Sequence, residues 1–572
     1  MTPWIDALNQ GLIIGVFAVS LNVLLGHAGL LSVATVGLGG VGGYAAAYLS
    51  LSEDWPAGAA LLAAAMLGLA AGAVVGLPAL RLGPDYVIVL TLAFGTIIGA
   101  LAAAVPSLGG TQGLVGLEAL DIGGRLLRPI DLLRFVLPLA ALMFFLCWRL
   151  VHSPFGRVLR GIREDEVAVE ALGKPVVRFK VTAFALTSVV AAIAGAMLVF
   201  YQQLASPSQF GFGTTTAVVA AVVIGGTGNL VGSIVGAIGL SMIRPALQEL
   251  LLLPPIDAAQ WQLVCFGLLL ILVLVLRPAG LLPERLRTHD DHRETEPPVE
   301  HGADRSRAFG SDERRHEESS SSALTATHIS KSFGAITAVD DLTLNLRPGQ
   351  VTALLGPNGA GKTTVFNLLT GRTRTDSGEV VLHGRTITDC PVHRGVLLGM
   401  ARTFQDVRIF KRLTVLDNVA MAVPNQAGER LRHLYLRPGM VRLSERSTVA
   451  VARGWLDFVG LTEHAGRAAG SLGFGEQKLL TVARALATGA DVILLDEPAS
   501  GIDRASLEPV LELVERLRDT GRTICLVEHN LDVVDRLADS VLFMEQGRVT
   551  ATGSMEEIRQ IDRLAEVYFG QS

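Results

Sequence analysis

Long apolar runs separated by short polar stretches occupy the first half of the chain. A helix needs about 20 apolar residues to cross the hydrocarbon of a bilayer. The runs that approach this length are 11–25, 29–51, 57–80, 87–105, 132–151, 179–201, 218–253 and 261–276. Run 218–253 is long enough for two helices, with a turn somewhere between 225 and 239. The pattern predicts an all-α polytopic membrane domain of about eight or nine transmembrane helices over residues 1–287.

Basic residues between these runs indicate which ends face the cytoplasm. Residues 149–180 contain seven basic and four acidic side chains, whereas no Lys or Arg precedes Arg81. Loops rich in Lys and Arg stay on the cytoplasmic side, so we expect the N-terminus outside and Arg277, after the last run, inside. The N-terminus has no basic stretch followed by a cleavage site, so we expect the first spans to act as an uncleaved insertion signal.

The second half of the chain changes to a pattern of short strands and helices. Residues 324–346 alternate apolar and polar side chains around Gly334, which predicts a small antiparallel sheet. Residues 288–322 are dominated by charge, Pro and Ser and cannot bury enough apolar surface to order themselves. We therefore expect a flexible linker over 288–322, which lets an α/β domain over 323–572 dock on its own membrane domain or on a neighbouring one.

The stretch GPNGAGKTT follows an apolar strand and fits the phosphate-loop pattern G-x-x-x-x-G-K-[ST]. Its glycines let backbone N–H groups approach a triphosphate, and the following helix adds its positive end. Lys362 would reach the β and γ phosphates, and the Thr363 hydroxyl would ligate Mg²⁺. The alternative is a Gly-rich turn that binds nothing. The predicted cofactors are ATP and Mg²⁺, and the predicted loop residues are Gly356, Asn358, Gly359, Gly361, Lys362, Thr363 and Thr364.

Two later apolar strands end in side chains that suit phosphate chemistry. Asp496 and Glu497 follow the run that begins at Asp491, and Glu528 and His529 follow the next run. At a strand end beside the phosphate loop, Asp496 can hold Mg²⁺ through water, and Glu497 is placed to polarise an attacking water. A lone histidine at a strand end is more often a bystander, so His529 needs support from the other elements.

The first half resembles the permeases of branched-chain (hydrophobic) amino acid ABC importers, of the LivM type. The stretches that carry the resemblance span nearly the whole half and are LNVLLGHAGLLS, RLGPDYVIVLTLAFG, LGGTQGLVG, GRVLRGIREDEVAVEALG, VVIGGTGNLVGSIVGA and GLLLILVLVLRPAGLL. In such permeases residues 156–173 look like the cytoplasmic coupling helix that docks on an ATPase. The stretch is amphipathic, with Val158, Leu159 and Ile162 apolar, and without the resemblance it would be interpreted as a membrane-surface helix.

The second half resembles the LivG-type ATPase of the same importers, with an α/β P-loop core and a helical subdomain. ARTFQDVRIFKRLTVLDNV resembles the glutamine loop, and LGFGEQ stands where the ABC signature usually reads Leu-Ser-Gly-Gly-Gln. The resemblance implies that Gln405 contacts Mg²⁺ and the attacking water and that His529 reaches the γ-phosphate. It further implies that Phe333 stacks on adenine and that Asp503 lies in the loop that contacts the second ATPase. The signature residues that it implies are Gly473, Gly475, Glu476 and Gln477. An ordinary core or turn aromatic would look the same as Phe333.

The signature departs from the usual pattern because Gly473 stands where the serine is expected. The serine hydroxyl normally donates to the γ-phosphate held by the opposite ATPase. Loss of one charge-assisted donor weakens that contact by roughly 1.5–3 kcal/mol. We therefore predict a weakened, asymmetric composite site that still functions.

Composition narrows the function classes further. At 572 residues the chain exceeds the size of one core, and its apolar fraction of 50% and mean hydropathy of +0.46 reflect the membrane half. A net charge of -5 argues neither for nor against nucleic acid, and no nucleic-acid partner is expected because no long basic block interleaved with aromatics occurs. The four cysteines are scattered, with no metal-ligand spacing.

Together these features predict a fused permease and ATPase of an ABC importer for branched-chain amino acids. We expect a multi-pass protein of the cell (inner) membrane with a cytoplasmic ATPase domain. The expected partners are the lipid bilayer, a second permease, a second ATPase subunit, an extracytoplasmic solute-binding protein and a small-molecule substrate. Distinct partner chains are implied by the resemblance, and a homodimer remains an alternative. The rival functions are import of urea, short amides or another small polar solute, lipid extraction by a membrane-anchored ATPase, and a largely inactive regulatory ATPase subunit.

Overall fold

The computed structural model describes residues 2–79, 84–117, 129–284, 322–502 and 504–561. The chain forms two compact units. Unit 1 comprises Met1–Arg163 and Val176–Arg285, and unit 2 comprises Glu164–Pro175 and Leu286–Ser572. The expected linker over 288–322 lies outside the described residues except for Ser322, and so does Arg81.

Unit 1 is built almost entirely from helices. Its described helices are α1 (Thr2–Asn22), α2 (Ala34–Ser52), α3 (Ala57–Ala79), α4 (Pro84–Ala104), α5 (Pro129–Val151), α6 (Pro154–Glu164), α8 (Val176–Gln202), α9 (Phe212–Gly225), α10 (Leu230–Leu250) and α11 (Pro255–Leu276). One π-helical turn, Val23–His27, continues α1. Two short strands, β1 (Leu114–Val115) and β2 (Leu204–Ala205), pair antiparallel.

Eight helical stretches in the described residues are long and apolar enough to cross a membrane, which confirms the predicted polytopic α-helical domain. They are Pro3–His27, Ala57–Pro78, Tyr86–Ala104, Ile130–Val151, Val176–Gln202, Pro207–Gly225, Leu230–Leu250 and Ile256–Leu276. The prediction had also taken residues 29–51 as a span. That region forms α2, which is not among the eight.

Helix α2 is an internal packing helix that is rich in glycine and alanine. Most of its residues are buried, and it packs against α8. A Cβ added at Gly42 would lie 2.3 Å from the Ala192 carbonyl oxygen, and one added at Gly195 would lie 1.8 Å from the Gly39 carbonyl oxygen. The glycines of this region therefore serve close helix approach.

The run 218–253 forms two helices, as predicted, and they separate at residues 226–229. The break between α9 and α10 uses Gly226 (φ 118°) and Gly228 (φ 85°), a region of backbone conformation that favours glycine. The side chain of Asn229 accepts a hydrogen bond from the N–H of Gly232 and so caps α10. The first of the two helices begins at Phe212, earlier than the apolar run indicated, because Thr214, Thr215 and Thr216 are tolerated inside it.

The side chain of Asn22, at the end of α1, forms hydrogen bonds to the residues at the break between α9 and α10. It is fully buried, and its Nδ2 donates to the Ser233 Oγ at 2.7 Å and to the Asn229 carbonyl oxygen at 3.0 Å. Its Oδ1 accepts from the Gly228 N–H at 2.8 Å. One side chain thus satisfies backbone groups that the helix ends leave unpaired.

Unit 2 contains two sheets and several helices, which confirms the predicted α/β domain. The larger sheet has the order β12-β11-β5-β10-β9-β8, parallel except for β12, and the smaller antiparallel sheet has the order β4-β3-β6-β7. The strands are β3 (Leu324–Phe333), β4 (Ile336–Leu346), β5 (Val351–Leu355), β6 (Ser377–Leu382), β7 (Arg385–Thr386), β8 (Met400–Arg402), β9 (Val492–Asp496), β10 (Thr523–Val527), β11 (Ser540–Glu545) and β12 (Arg548–Gly553).

The helices of unit 2 lie between and beyond these strands. They are α7 (Glu166–Glu170), α12 (Lys362–Leu369), α13 (Val392–Leu397), α14 (Val415–Ala422), α15 (Leu431–Leu436), α16 (Pro438–Phe458), α17 (Phe474–Ala487), α18 (Arg504–Asp519), α19 (Leu531–Leu537) and α20 (Met555–Arg559). Helices α14 to α17 pack on one another as the predicted helical subdomain. Strands β5, β9 and β10 are buried along their whole length and parallel, so the loops that follow them meet at one edge of the sheet.

Candidate functional site

The loop between β5 and α12 has the backbone expected of a phosphate cradle. Gly356, Gly359 and Gly361 all have positive φ, at 148°, 82° and 101°. A Cβ at Gly356 would lie 2.1 Å from the Met544 carbonyl oxygen, whereas a Cβ at Gly359 would meet nothing within 4 Å. The loop is thus packed on one side and open on the other, where its N–H groups are accessible to an anion.

Lys362 begins α12 and its amino group lies inside this loop. The Nζ donates to the carbonyl oxygens of Gly356 at 2.6 Å and Pro357 at 2.9 Å. Burial lowers the pKa of Lys362, and the carboxylates of Glu497 and Asp496 oppose that shift. The amino group is therefore already held where phosphate oxygens would replace the two carbonyls as acceptors.

Asp496, the last residue of β9, is fixed by a buried arginine. The Arg402 Nη2 donates to the Asp496 Oδ2 at 2.9 Å, and the Arg402 Nη1 donates to the Asn367 Oδ1 at 2.7 Å. The Asp496 N–H donates to the Thr403 Oγ1 at 3.2 Å. Burial lowers the pKa of Arg402, which the neighbouring Asp496 opposes. This network fixes the carboxylate at the end of the strand.

Glu497 follows directly and is held by three side chains. Its Oε2 accepts from the Gln405 Nε2 at 3.0 Å, and its Oε1 lies 2.9 Å from the His529 Nε2. Its backbone oxygen accepts from the Lys478 Nζ at 2.6 Å. Glu497 has a φ of 48°, which is unfavourable for a residue with a side chain and is often found at functional sites. The contacts with Gln405 and His529 therefore fix the orientation of the Glu497 carboxylate.

These residues meet at an open cleft of about 560 Å³. Its lining consists of Pro357, Asn358, Gln405, Glu497 and His529. Thr363 is exposed and Thr364 half-buried in the first turn of α12, next to Lys362. The structure thus brings the loop, both carboxylates, the glutamine and the histidine together, as the strand-end pattern indicated.

Other predicted residues lie elsewhere in unit 2. None of the signature residues Gly473, Gly475, Glu476 and Gln477 lines this cleft. Phe333 is about half-exposed at the end of β3, with the Lys331 Nζ 5.7 Å from its ring centre. Asp503 lies outside the described residues.

The signature stretch forms the start of α17. Gly473 is the residue before the helix, and its N–H donates to the Glu476 Oε2 at 2.8 Å. The His464 Nε2 lies 3.1 Å from the Glu476 Oε1. Gln477 donates to the Leu472 carbonyl oxygen at 2.8 Å. The Glu476 carboxylate therefore occupies an N–H at the positive end of this helix.

Sequence reasoning missed Arg402, which donates to the Asp496 carboxylate, and Lys478, which donates to the Glu497 backbone oxygen. Arg402 lies three residues before Gln405, and Lys478 directly follows the signature. Each is a charged residue in an otherwise buried element, since Arg402 ends the buried strand β8 and Lys478 is buried in α17. A buried charge needs a partner. A charged residue within an apolar stretch was therefore the sequence feature that could have indicated these two residues.

The segment Glu164–Pro175 packs within unit 2 beside the loop that carries Gln405. The Asp165 Oδ2 accepts from the Arg408 Nη1 at 2.8 Å, and the Glu164 carboxylate accepts from the Arg412 N–H at 3.1 Å. Lys174 pairs with Glu429 at 2.5 Å. The predicted single helix over 156–173 is in fact two helices, α6 and α7, separated by Asp165, which accepts from the Ala168 N–H and caps α7.

The apolar residues of that predicted helix are part of the buried interior of unit 1. Val158, Leu159 and Ile162 are buried in α6, which belongs to unit 1, whereas α7 belongs to unit 2. Helix α7 presents Val167 and Ala171 to a small apolar pocket that Phe404 and Arg402 also line. Arg402, which bonds Asp496, therefore lines the same pocket as the segment that joins α6 to α8.

Comparison with known proteins gives independent information on both halves. Residues 4–274 match the family described as branched-chain amino acid transport system / permease component, and residues 339–500 match the ABC transporter family. The high-affinity branched-chain amino acid transport ATP-binding protein LivG of Salmonella typhimurium is 35% identical over 250 residues, which are 44% of this chain and 98% of LivG. The protein of the same description in Pseudomonas aeruginosa, BraF, is 36% identical over 251 residues, again 44% of this chain and 98% of BraF.

A solved structure is also similar to part of the chain. The crystal structure of a nucleotide-free ATP-binding cassette from an ABC transporter aligns with 43% of this chain and 98% of that cassette, at 32% identity and a TM-score of 0.38.

Proposed function

This chain belongs to the ABC transporters, as a branched-chain amino acid type permease fused to an ABC ATPase, and we propose that it imports branched-chain or other hydrophobic amino acids. Its ATPase domain binds and hydrolyses ATP, and the hydrolysis is coupled to transport. The observation that carries the proposal is the cleft where Glu497, Gln405 and His529 meet, next to the phosphate loop that holds Lys362. Its relatives LivG and BraF are described as branched-chain amino acid transport proteins, which supports this substrate class.

In the proposed mechanism Glu497 is the residue that polarises the attacking water. Its two oxygens bond Gln405 and His529, so the carboxylate is oriented before any nucleotide arrives. Gln405 orients the same water, and His529 contacts the γ-phosphate. Lys362 and the loop N–H groups stabilise the charge that develops on the phosphate oxygens.

The residues present suit a magnesium ion. Mg²⁺ prefers oxygen ligands and takes most of them from substrate phosphates and water, using one or two protein groups. Asp496 offers a carboxylate and Thr363 a hydroxyl, and no cluster of three or more His, Cys, Asp or Glu occurs in the part of the chain that the structure describes. Asp496, Thr363 and Gln405 would hold Mg²⁺ together with ATP, and the ion would neutralise phosphate charge.

We further propose that the segment Glu164–Pro175 passes movement between the ATPase and the helices α6 and α8. The ion pair between Asp165 and Arg408 joins this segment to the loop that begins at Gln405. The Arg408 carbonyl oxygen in turn accepts from the Arg484 Nη1 at 2.5 Å, on the helix that follows the signature. Movement at the carboxylates and at the signature helix therefore reaches the same segment.

The proposed assembly has two permease and two ATPase domains in the cell membrane, with the ATPase domains in the cytoplasm. One permease domain encloses part of a pathway, and two ATPase domains sandwich two ATP molecules. The further subunits are a second permease and a second ATPase, and an extracytoplasmic binding protein delivers the solute. A homodimer would satisfy the same geometry.

An uptake screen tests the proposal. The full chain and its co-purifying partners, in proteoliposomes that contain ATP, are offered labelled leucine, isoleucine, valine, urea and short amides. Accumulation of the three amino acids, abolished by Lys362→Ala, is the expected result. Uptake of urea or amides alone would assign the chain to small polar solutes. ATP-dependent removal of lipid without any solute uptake would overturn the importer proposal.

A further inference from the structure

An exposed patch of leucine, methionine and arginine side chains covers the junction of α15 and α16. We call it the α15–α16 patch, and it consists of Leu436, Arg437, Met440, Arg442, Leu443 and Arg446. Leu436 is 79% exposed, Leu443 71% and Met440 43%. Single exposed leucines are ordinary on protein surfaces. Three exposed apolar side chains within eight residues, interleaved with arginines, form a surface that suits a partner with both apolar and anionic character.

The charge of this region is one-sided. Residues 430–446 contain five arginines and one acidic residue, Glu445. None of those five arginines forms an ion pair with any residue that the structure describes. The positive charge also affects a neighbouring histidine. Loss of hydration lowers the pKa of His433, and the nearby positive charges of Arg432, Arg430 and Arg437 lower it further. The arginines are thus available to an external anion.

The patch begins a few residues after Glu429, which pairs with Lys174 in the segment Glu164–Pro175 of unit 2. Lys174 donates to Glu429 at 2.5 Å and to the Val423 carbonyl oxygen at 2.9 Å, and the Lys174 side chain is buried while that of Glu429 is partly exposed. Val176, two residues after Lys174, begins a helix that is apolar enough to span a membrane. Two residues of chain reach at most roughly 7 Å, and the seven from Glu429 to Leu436 at most roughly 25 Å. Because Lys174 is tied to Glu429, the start of the patch lies within roughly 25 Å of Lys174 inside unit 2.

We propose that the α15–α16 patch binds the cytoplasmic surface of the bilayer, with its arginines on anionic phospholipid headgroups and Leu436, Met440 and Leu443 in the interface. Basic amphipathic elements bind membranes through this combination of apolar area and attraction to anionic lipid. The contact holds the helical subdomain against the membrane. It concerns lipid rather than solute, so it goes beyond the proposed import function and does not depend on it.

A depth measurement on the full chain tests the contact. A fluorophore is attached to Leu443→Cys, after replacement of the four native cysteines, in nanodiscs that carry bromine-labelled lipids near the headgroup. Ile336→Cys is the matched control, because Ile336 is also 71% exposed but lies on β4. The expected result in discs with anionic phosphatidylglycerol is strong quenching at Leu443 and little at Ile336.

Charge and salt then test the mechanism of binding. Each arginine near an anionic surface changes the ratio of docked to undocked patch by roughly fivefold. Replacement of Arg437, Arg442 and Arg446 by Gln is therefore expected to abolish most of the quenching at Leu443, as is 0.5 M salt or a disc of phosphatidylcholine alone. ATP hydrolysis in the same discs shows that unit 2 is folded and separates this test from that of the nucleotide site.

Three results would overturn the proposal. One is equal, weak quenching at Leu443 and Ile336 in anionic discs that still hydrolyse ATP. Another is protection of the Leu443→Cys thiol from labelling only when an acidic partner subunit is added, which would show that the α15–α16 patch binds a protein. Quenching that salt and the three arginine replacements leave unchanged would likewise refute headgroup binding.

Discussion

Replacement of Arg402 by Met removes one half of a buried ion pair and keeps a side chain of similar length. The Arg402 and Asp496 side chains are 5% and 3% exposed, and their N···O distance is 2.9 Å. The guanidinium also lies 5.3 Å from the ring centres of Phe366 and Phe404 and donates to Asn367. Arg402→Met therefore leaves the Asp496 carboxylate buried without its charge partner.

The expected loss of stability is large. Breaking a buried pair by removing one partner costs about 3–5 kcal/mol. For a domain of about 150–250 residues, each kcal/mol lowers Tm by roughly 2–4 °C. Arg402→Met is thus expected to lower the Tm of unit 2 by roughly 6–20 °C, and ATP binding at low temperature should weaken because Asp496 is less well positioned.

Pulse proteolysis of the full chain in detergent, with a tag at the C-terminus, reports the unfolding of unit 2 over a temperature series. Arg385→Met is the matched control, because Arg385 is exposed on the short strand β7, and it should shift Tm by no more than about 1–2 °C. The double variant Arg402→Met with Asp496→Asn should recover part of the loss, since the unpaired charge is gone. A Tm for Arg402→Met equal to that of the control, or a double variant less stable than Arg402→Met, would refute this reasoning.

Three further predictions follow from individual contacts. Gly473→Ser fits, because the added Cβ would lie 3.6 Å from the Glu476 Oε2. A new donor to phosphate worth about 1.5–3 kcal/mol should lower the KM for ATP roughly 10–150-fold, and an unchanged KM in hydrolysis assays would contradict the predicted serine deficit. His383 donates a hydrogen bond to the Asp491 carboxylate, which raises the pKa of His383, so the stabilisation is present below about pH 6.5 and is lost as pH rises through the higher folded value. Asp491→Asn should therefore lower Tm more at pH 6 than at pH 8.5, and equal losses would disprove the link. Asn22→Ala leaves buried backbone groups unpaired at the break between α9 and α10, so it should destabilise unit 1 by about 1–3 kcal/mol and reduce uptake. An unchanged Tm and uptake rate would show that the Asn22 contacts are dispensable.

Local pattern was sufficient for most of the helices and for the centre of the nucleotide site. An apolar run of about 20 residues has few stable structures other than a membrane helix, and an apolar strand followed by Lys362 or by Glu497 places that residue at a sheet edge. Helix α2 is not among the eight apolar stretches, and its small residues serve close packing against α8. The bounds of the two halves stay predictions, as do the roles of the site residues.

Residues that act through distant partners escaped sequence reasoning. Arg402 and Asp496 are 94 positions apart, and Asn22 and Gly228 are 206 apart. Periodicity along one chain carries no information about such pairs, so the networks around Asp496 and around the break after α9 became visible only in three dimensions. The division of the predicted coupling helix has the same origin, because packing assigned α6 and α7 to different units.

The central claim is that ATP hydrolysis at this cleft drives solute across the membrane. Glu497→Gln keeps the shape of the side chain and its contact with Gln405 but removes the carboxylate, so it should reduce hydrolysis by roughly 10²–10⁴-fold and leave ATP binding intact. The decisive measurement is leucine uptake and phosphate release in the same proteoliposomes, with wild-type and Glu497→Gln chains and all partner subunits. The account predicts that both rates fall together. Undiminished leucine accumulation by a variant that releases no phosphate would contradict it.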